Sequence, residues 1–228
     1  MRTVKAADER KDEIIDAAMR LFAEKGFDGT STGDILDAVG IARGTLYYHF
    51  RSKEEILDAA VGRTVSRMLD RARAVAGDKS LQLTARLTLC VTALNDRSDK
   101  GKELLEQMHR PQNALMHQKT NGRLIGGIVP ILSGLVEEGI AGGVFSTDFP
   151  REAVEMIIIY AHTAFDDPPE DGVSPEDMRA KMTGFVYNVE RLLGAKPGSM
   201  AAKTTSVGTM LRPQRLVIWK RRGDWDSR

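Results

Sequence analysis

Apolar residues recur at intervals of three and four through most of the chain, interrupted by glycine, proline and short polar runs. That rhythm predicts helices joined by short connections. From Asp8 to Lys25, Ile14, Ala18, Leu21 and Phe22 share one face, acids crowd the first turn, and Gly26 ends the segment. Ser31 then stands as an N-cap with Asp34 three residues on, a spacing that lets two side chains satisfy free N–H groups at a helix start. Ile35, Leu36 and Val39 give this helix its apolar face, and Gly40 can take the left-handed conformation that stops it. A second short helix follows at about Ala42 to His49. Ser52 and Glu55 form another capping box, which opens a long helix to about Val75 with Ile56, Leu57, Ala60, Val61, Met68 and Leu69 on its buried side. Further helices are predicted at about Leu81 to Asn95, Lys100 to Gln112, Asn121 to Glu138, Arg151 to Phe165 and Pro175 to Leu193. Gly139 to Phe149 reads as a glycine-rich loop, Asp166 to Ser174 as a loop rich in proline and acids, and Gly194 as the final stop.

The stretch from Ser31 to Lys53 carries the chemistry. Two short helices joined by a glycine-containing turn of three or four residues form the arrangement in which the second helix enters the major groove of DNA. An ordinary helical hairpin with core aromatics has the same outline, so the content of the second helix decides. Arg43, Thr45, Tyr47, Tyr48 and His49 are polar or amphipathic, and only Leu46 and Phe50, four apart, suit an interior. Arg43 can donate two hydrogen bonds to a guanine edge, and Thr45 offers a hydroxyl and a methyl to a base edge or a thymine methyl. Gly44 lets backbone approach DNA closely. Tyr47, Tyr48, His49 and Lys53 suit phosphate oxygens, which fix register and not sequence.

Gly44 to Phe50, Gly-Thr-Leu-Tyr-Tyr-His-Phe, followed by Arg51-Ser52-Lys53-Glu54-Glu55-Ile56-Leu57, resembles the signature of the TetR family of bacterial transcriptional repressors. The match extends back through Asp34-Ile35 and Ala38-Val39-Gly40 and covers roughly residues 10 to 60. The resemblance implies an all-α fold, with a three-helix helix-turn-helix DNA-binding domain at residues 8–53 and a helical domain at 54–195 that binds an effector and dimerises. It also implies a pseudo-palindromic operator that is released when a small molecule binds. In the family the last two helices pair with their copies across a twofold axis, and Ile157, Ile158, Ala161, Phe165, Phe185, Val189 and Leu192 suit that interface. Two positions depart from the pattern. Many members cap the second helix with Ser or Thr where this chain has Ala42, and often carry a longer side chain, sometimes touching a base, at the position of Gly33. Gly33 leaves Ser31 and Thr32 with phosphate contacts. Both departures keep a second reading open, a ligand-sensing or structural helical dimer with weak or no specific DNA binding.

Composition adds less. Hydrophobic residues make up 42% of the 228, enough for a sizeable core. A lone Cys90 allows no intrachain disulfide and no apolar leader follows Met1, so a reducing cytoplasm is expected. Residues 1–53 hold nine basic and nine acidic residues, whereas 196–228 hold eight basic and two acidic, so the net charge of +1 conceals a basic tail expected to be mobile. The longest apolar run, Leu124 to Val136, is broken by Gly126, Gly127, Pro130 and Gly134 and is too short to span a bilayer, so no membrane partner is expected. His49, His109, His117 and His162 do not fall at metal-ligand spacing, no G-x-S-x-G appears, and Gly77 to Ser80 lacks the earlier glycine of a phosphate loop. No cofactor, metal or enzymatic activity is therefore expected. Cys90, Met108, His109, Met116, Tyr160 and His162 place adaptable and polar-tipped groups on apolar helices, which suits a pocket for an apolar small molecule and equally suits core packing.

Overall fold

The computed structural model of the chain describes residues 7–94, 111–166 and 174–200. Among these residues there are eight α-helices and no strand. They are α1 (Ala7–Lys25), α2 (Thr32–Val39), α3 (Arg43–His49), α4 (Lys53–Gly77), α5 (Leu83–Ala93), α6 (Ala114–Ala141), α7 (Pro150–Ala161) and α8 (Pro175–Leu192). A 3-10 turn, Pro111–Asn113, leads into α6, and a π-turn, His162–Asp166, follows α7. The helix predicted at Lys100 to Gln112 lies almost wholly outside the described residues, as do the first six residues. By its contacts the chain divides into two compact units, Met1–Arg71 with Ala93–Gly126, and Ala72–Thr92 with Gly127–Arg228.

The first unit is built on the apolar stripe of α1. Ile14, Ile15, Ala18 and Phe22 are buried there with Phe27, Ile35 of α2, Leu46 of α3, and Phe50, Ile56 and Leu57 around the start of α4. Each of these side chains larger than Ala18 contributes about 1.5–3 kcal/mol when removed from water. Phe22 and Phe27 meet with ring centroids 5.4 Å apart. Gly26 adopts φ +80 at the end of α1, the left-handed geometry that a glycine stop requires. The buried Thr30 hydroxyl donates to the carbonyls of Gly26 at 2.8 Å and Leu21 at 3.2 Å. Asn113 adds a third tie by donating to Ala23 O at 3.3 Å. On α6, Lys119 and Arg123 both reach Asp58 of α4, at 2.8 and 3.4 Å, and Arg123 also donates to the Asp58 carbonyl at 2.6 Å.

The second unit centres on Arg86, which is only 3% exposed. Its Nε donates to Ala76 O at 2.9 Å, Nη2 reaches the same carbonyl, and Nη1 and Nη2 grip the two oxygens of Glu138 at 2.6 and 3.0 Å. Lys79 completes the cluster on Glu138 at 2.6 Å. α6 is longer than its periodicity suggests at both ends. Its C-terminal turn absorbs Gly139, expected to open a loop; the Phe145 ring and Leu83 occupy the space that a β-carbon would need there, which accounts for the glycine. Pro130 and Gly126 sit inside α6 on its exposed side, where the carbonyl that loses its N–H partner can turn to water. Among the described residues α6 is the one helix long and apolar enough, by length and composition, to cross a membrane; Ile128, Val129, Leu132, Leu135 and Val136 are instead buried within the protein. The expected helix to Phe165 stops at Ala161, and the π-turn carries the chain on. Gly194, φ +61, ends α8 as expected. Beyond it, the buried Glu190 carboxylate accepts N–H bonds from Gly198 and Met200 at 2.8 and 2.7 Å, which holds residues 196–200 where a mobile tail was expected to begin. The rest of that tail, 201–228, lies outside the described residues.

Candidate nucleic-acid interface

α2 begins with a complete capping box. Asp34 N donates to Ser31 Oγ at 3.1 Å, while Ser31 N donates to the Asp34 carboxylate at 2.8 Å. The same carboxylate accepts Lys25 Nζ at 2.7 Å and the Ser31 hydroxyl at 2.5 Å, and these bonds, the lysine first, hold its pKa far below the usual carboxylate range. Gly40, φ +69, stops α2 and returns its N–H to Leu36 O at 2.8 Å. The turn is then complete, and α3 starts at Arg43. Ala42 holds the extended geometry of an N-cap but has no side chain to accept a bond, so α3 starts uncapped.

Buried Leu46 and Phe50 pin α3 from beneath, and its other face is open. Tyr48 is 78% exposed and Tyr47 43%, while Arg43 and Gly44 are exposed and Thr45 and His49 partly so. The Arg43 guanidinium lies over the Tyr47 ring at 5.5 Å, and the Tyr48 and His49 rings meet edge to face at 5.0 Å. A β-carbon on Gly44 would meet nothing in the chain, so no internal contact demands glycine there. Every α3 residue expected to face DNA is therefore exposed or half-buried, and none is fully buried.

Two expected phosphate contacts are recast by the structure. Ser31 directs its hydroxyl at Asp34, because the capping box consumes it. Lys53 is turned inward and donates to Phe27 O at 2.7 Å and Thr30 O at 2.8 Å, with the Phe27 ring 4.2 Å from its ammonium. The second capping box is also shifted: Ser52 Oγ accepts Glu55 N at 3.2 Å, but the Glu55 carboxylate takes the N–H of Arg51, at 2.6 Å.

Of the residues expected at a dimer interface, Phe165 and Val189 are buried inside their own unit, Phe165 against Phe185 at 5.3 Å, and so do not face outward. Ile157, Ile158, Ala161, Phe185 and Leu192 are half-buried. The apolar side chains that α7 and α8 do expose are Met156, Ile159, Tyr160 and Tyr187, none of them picked as interface residues from the pattern. Of the expected ligand group, Cys90 of the second unit and Met116 of the first are each fully buried, Tyr160 stacks on Phe185 at the surface at 5.8 Å, and His162 is the C-cap residue of α7. Met108 and His109 lie outside the described residues. Cys90 donates to Ala72 O at 3.3 Å, and burial pushes its thiol up to about 11, partly offset by the nearby Arg86 charge. Two open depressions occur in the first unit, one of about 530 Å³ lined by Asp58, Leu115, Gln118, Lys119, Gly122 and Arg123, the other beside Arg10, Arg20 and Val39. Neither touches the expected ligand residues.

Comparison with known proteins follows the same division. Residues 14–60 match the family described as "Bacterial regulatory proteins, tetR family", and residues 97–187 match "Tetracyclin repressor-like, C-terminal domain". The negative transcriptional regulator IcaR of the icaADBC biofilm operon, from Staphylococcus aureus, is 53% identical over 51 residues, which are 22% of this chain and 27% of that protein. The chain thus matches about a quarter of the length of that curated relative. Salmonella enterica GusR has a similar fold, with TM-score 0.56 and 23% identity over 85% of this chain and all of that one. A TetR-family transcriptional regulator from Mesorhizobium loti also gives TM-score 0.56, at 18% identity, covering 83% of this chain and 98% of its own. With an amino-terminal reading motif and a carboxy-terminal body both matched, the chain belongs to the TetR family of bacterial regulatory proteins, which are transcriptional regulators and not enzymes.

Proposed function

We propose that the protein is a cytoplasmic transcriptional repressor that binds a pseudo-palindromic operator as a homodimer and releases it when a small, apolar molecule binds. Residues 8–53 read DNA, and 54–195 bind the effector and dimerise. The observation that carries this reading is the outward face of α3. Arg43, Gly44, Thr45, Tyr47, Tyr48 and His49 are open to a partner, while Leu46 and Phe50 anchor the helix beneath. Arg43 and Thr45 read bases, and the tyrosines and His49 engage phosphates. Stacking on Tyr47 pre-orders the Arg43 guanidinium for a planar, two-bond contact. Met156, Ile159, Tyr160 and Tyr187 supply an apolar surface on the helices that dimerise.

Footprinting at physiological salt tests the reading. Protection of two half-sites about one helical turn apart supports it. Binding without sequence preference that disappears as salt rises refutes it and leaves a ligand-sensing dimer. Arg43→Ala is expected to relax selectivity at one base pair per half-site by about 1–3 kcal/mol.

A further inference from the structure

Lys53 stands at the first residue of α4, three positions after the end of the recognition helix is buried at Phe50. A lysine in that place is electrostatically suited to a DNA phosphate, yet its side chain points the other way. The ammonium is bonded to two backbone carbonyls, 23 and 26 residues upstream, and covers an aromatic face. Those carbonyls belong to the connection between α1 and α2. Phe27 is packed on Phe22, and Thr30 is 1% exposed with its hydroxyl bonded to the carbonyl of Gly26, the residue after α1. Thr30 also directly precedes Ser31, the N-cap of α2. Lys53 thus joins the start of α2 to the start of α4. α3 is strung between these two points, and its own N-terminus lacks a side-chain cap at Ala42.

We propose that Lys53 is a positioning residue of the reading motif: held between the carbonyls of Phe27 and Thr30, it fixes the angle at which α3 is presented and does not neutralise a phosphate. Two charge-assisted hydrogen bonds and a ring face use the ammonium on three sides. A lysine has three donors, so this arrangement leaves little for an anion outside.

The inference rests on the operator reading above, and its test separates the two. Operator affinity of the full chain is measured from low to high salt for the wild type, Lys53→Met and Lys53→Gln. A positioning residue lowers affinity on the order of tenfold, the scale of one lost charge-assisted bond, and leaves the slope of log K against log salt unchanged. Loss of a phosphate contact would reduce that slope by about two in both variants, one for each protomer on the operator, and overturns the proposal, as does unchanged affinity. Should Lys53→Met fail to fold, Lys53→Gln, which keeps a donor but no charge, carries the same slope test. Hydrogen exchange without DNA reads the clamp alone: amides of α2 and α3 are expected to exchange faster in both variants, and unchanged exchange overturns the proposal. Faster exchange in a protein whose wild type protects no palindrome upholds the clamp and sinks the operator reading instead.

Discussion

Arg86→Met removes the charge at the centre of the second unit while keeping the length of the side chain. In the wild type the guanidinium serves two masters, the Ala76 carbonyl in the last turn of α4 and the carboxylate of Glu138 on α6. Methionine leaves that carbonyl with no donor in a place where the arginine was 3% exposed, a cost of about 1–3 kcal/mol. The lost ion pair adds less than a fully buried one would, since Glu138 is 40% exposed and retains Lys79. The methionine stem recovers part of the packing. A net loss of about 2 kcal/mol lowers the melting temperature of a chain this size by about 4–8 °C. Thermal and urea denaturation at one fixed protein concentration measure it, because the apparent stability of the proposed dimer would depend on concentration.

The pair can be isolated by repeating Glu138→Gln in both backgrounds. The bonds from Arg86 first, then from Lys79, hold the Glu138 carboxyl down to about 2 from 4.5. A carboxylate with a depressed folded pKa stabilises fully above 4.5 and loses that contribution as pH falls towards 2. The gap in stability between wild type and Glu138→Gln should therefore be constant near neutrality and shrink over that acid range. In the Arg86→Met background the gap should be much smaller near neutrality and change less over the acid range. An equal cost of Glu138→Gln in both backgrounds would show that the two side chains act independently, and the account of this cluster would be wrong.

Ala42→Ser places an acceptor at an N-cap already in extended geometry and should raise stability by about 0.5–1 kcal/mol, read as a higher urea midpoint with an unchanged m value. Ile159→Lys, at a side chain 48% exposed on α7, should leave the helical circular dichroism intact and convert dimer to monomer in sedimentation velocity; a dimer that persists removes α7 from the interface. Cys90 should resist a thiol-alkylating reagent at pH 8 until the protein unfolds, since its thiol is buried, bonded to Ala72 O and shifted up to about 11; fast labelling of folded protein contradicts the burial.

What could be read in the sequence was local. The Ser31 and Asp34 box, the Gly40 stop and the missing cap at Ala42 depend on residues within four positions of one another, and the structure has all three. The inward turn of Lys53 could not be read that way, because its acceptors are backbone carbonyls more than twenty residues upstream and any residue type could have supplied them. Periodicity identified apolar faces on α7 and α8 but not what covers them. Phe165 and Val189 have the same chemistry as Ile159 and Met156, and only the packing of the π-turn and α8 inside the unit separates buried from exposed. Gly139 misled in the opposite direction. Read as a loop signal, it is a helical residue kept small by the Phe145 ring.

These local and distant features bear on the same helix. α3 has seven residues, too few to be stable by its own hydrogen bonds, and its first turn lacks a cap. Its order has to come from outside. Leu46 and Phe50 supply the apolar share from below, the Ser31 and Asp34 box fixes the helix before it, and the turn at Arg51, Ser52 and Glu55 fixes the helix after it. Lys53 closes the loop by tying that second turn back to the residue preceding Ser31. None of these groups uses a side chain from the open face of α3. Arg43, Thr45, Tyr47 and Tyr48 can therefore be exchanged without disturbing the frame that presents them.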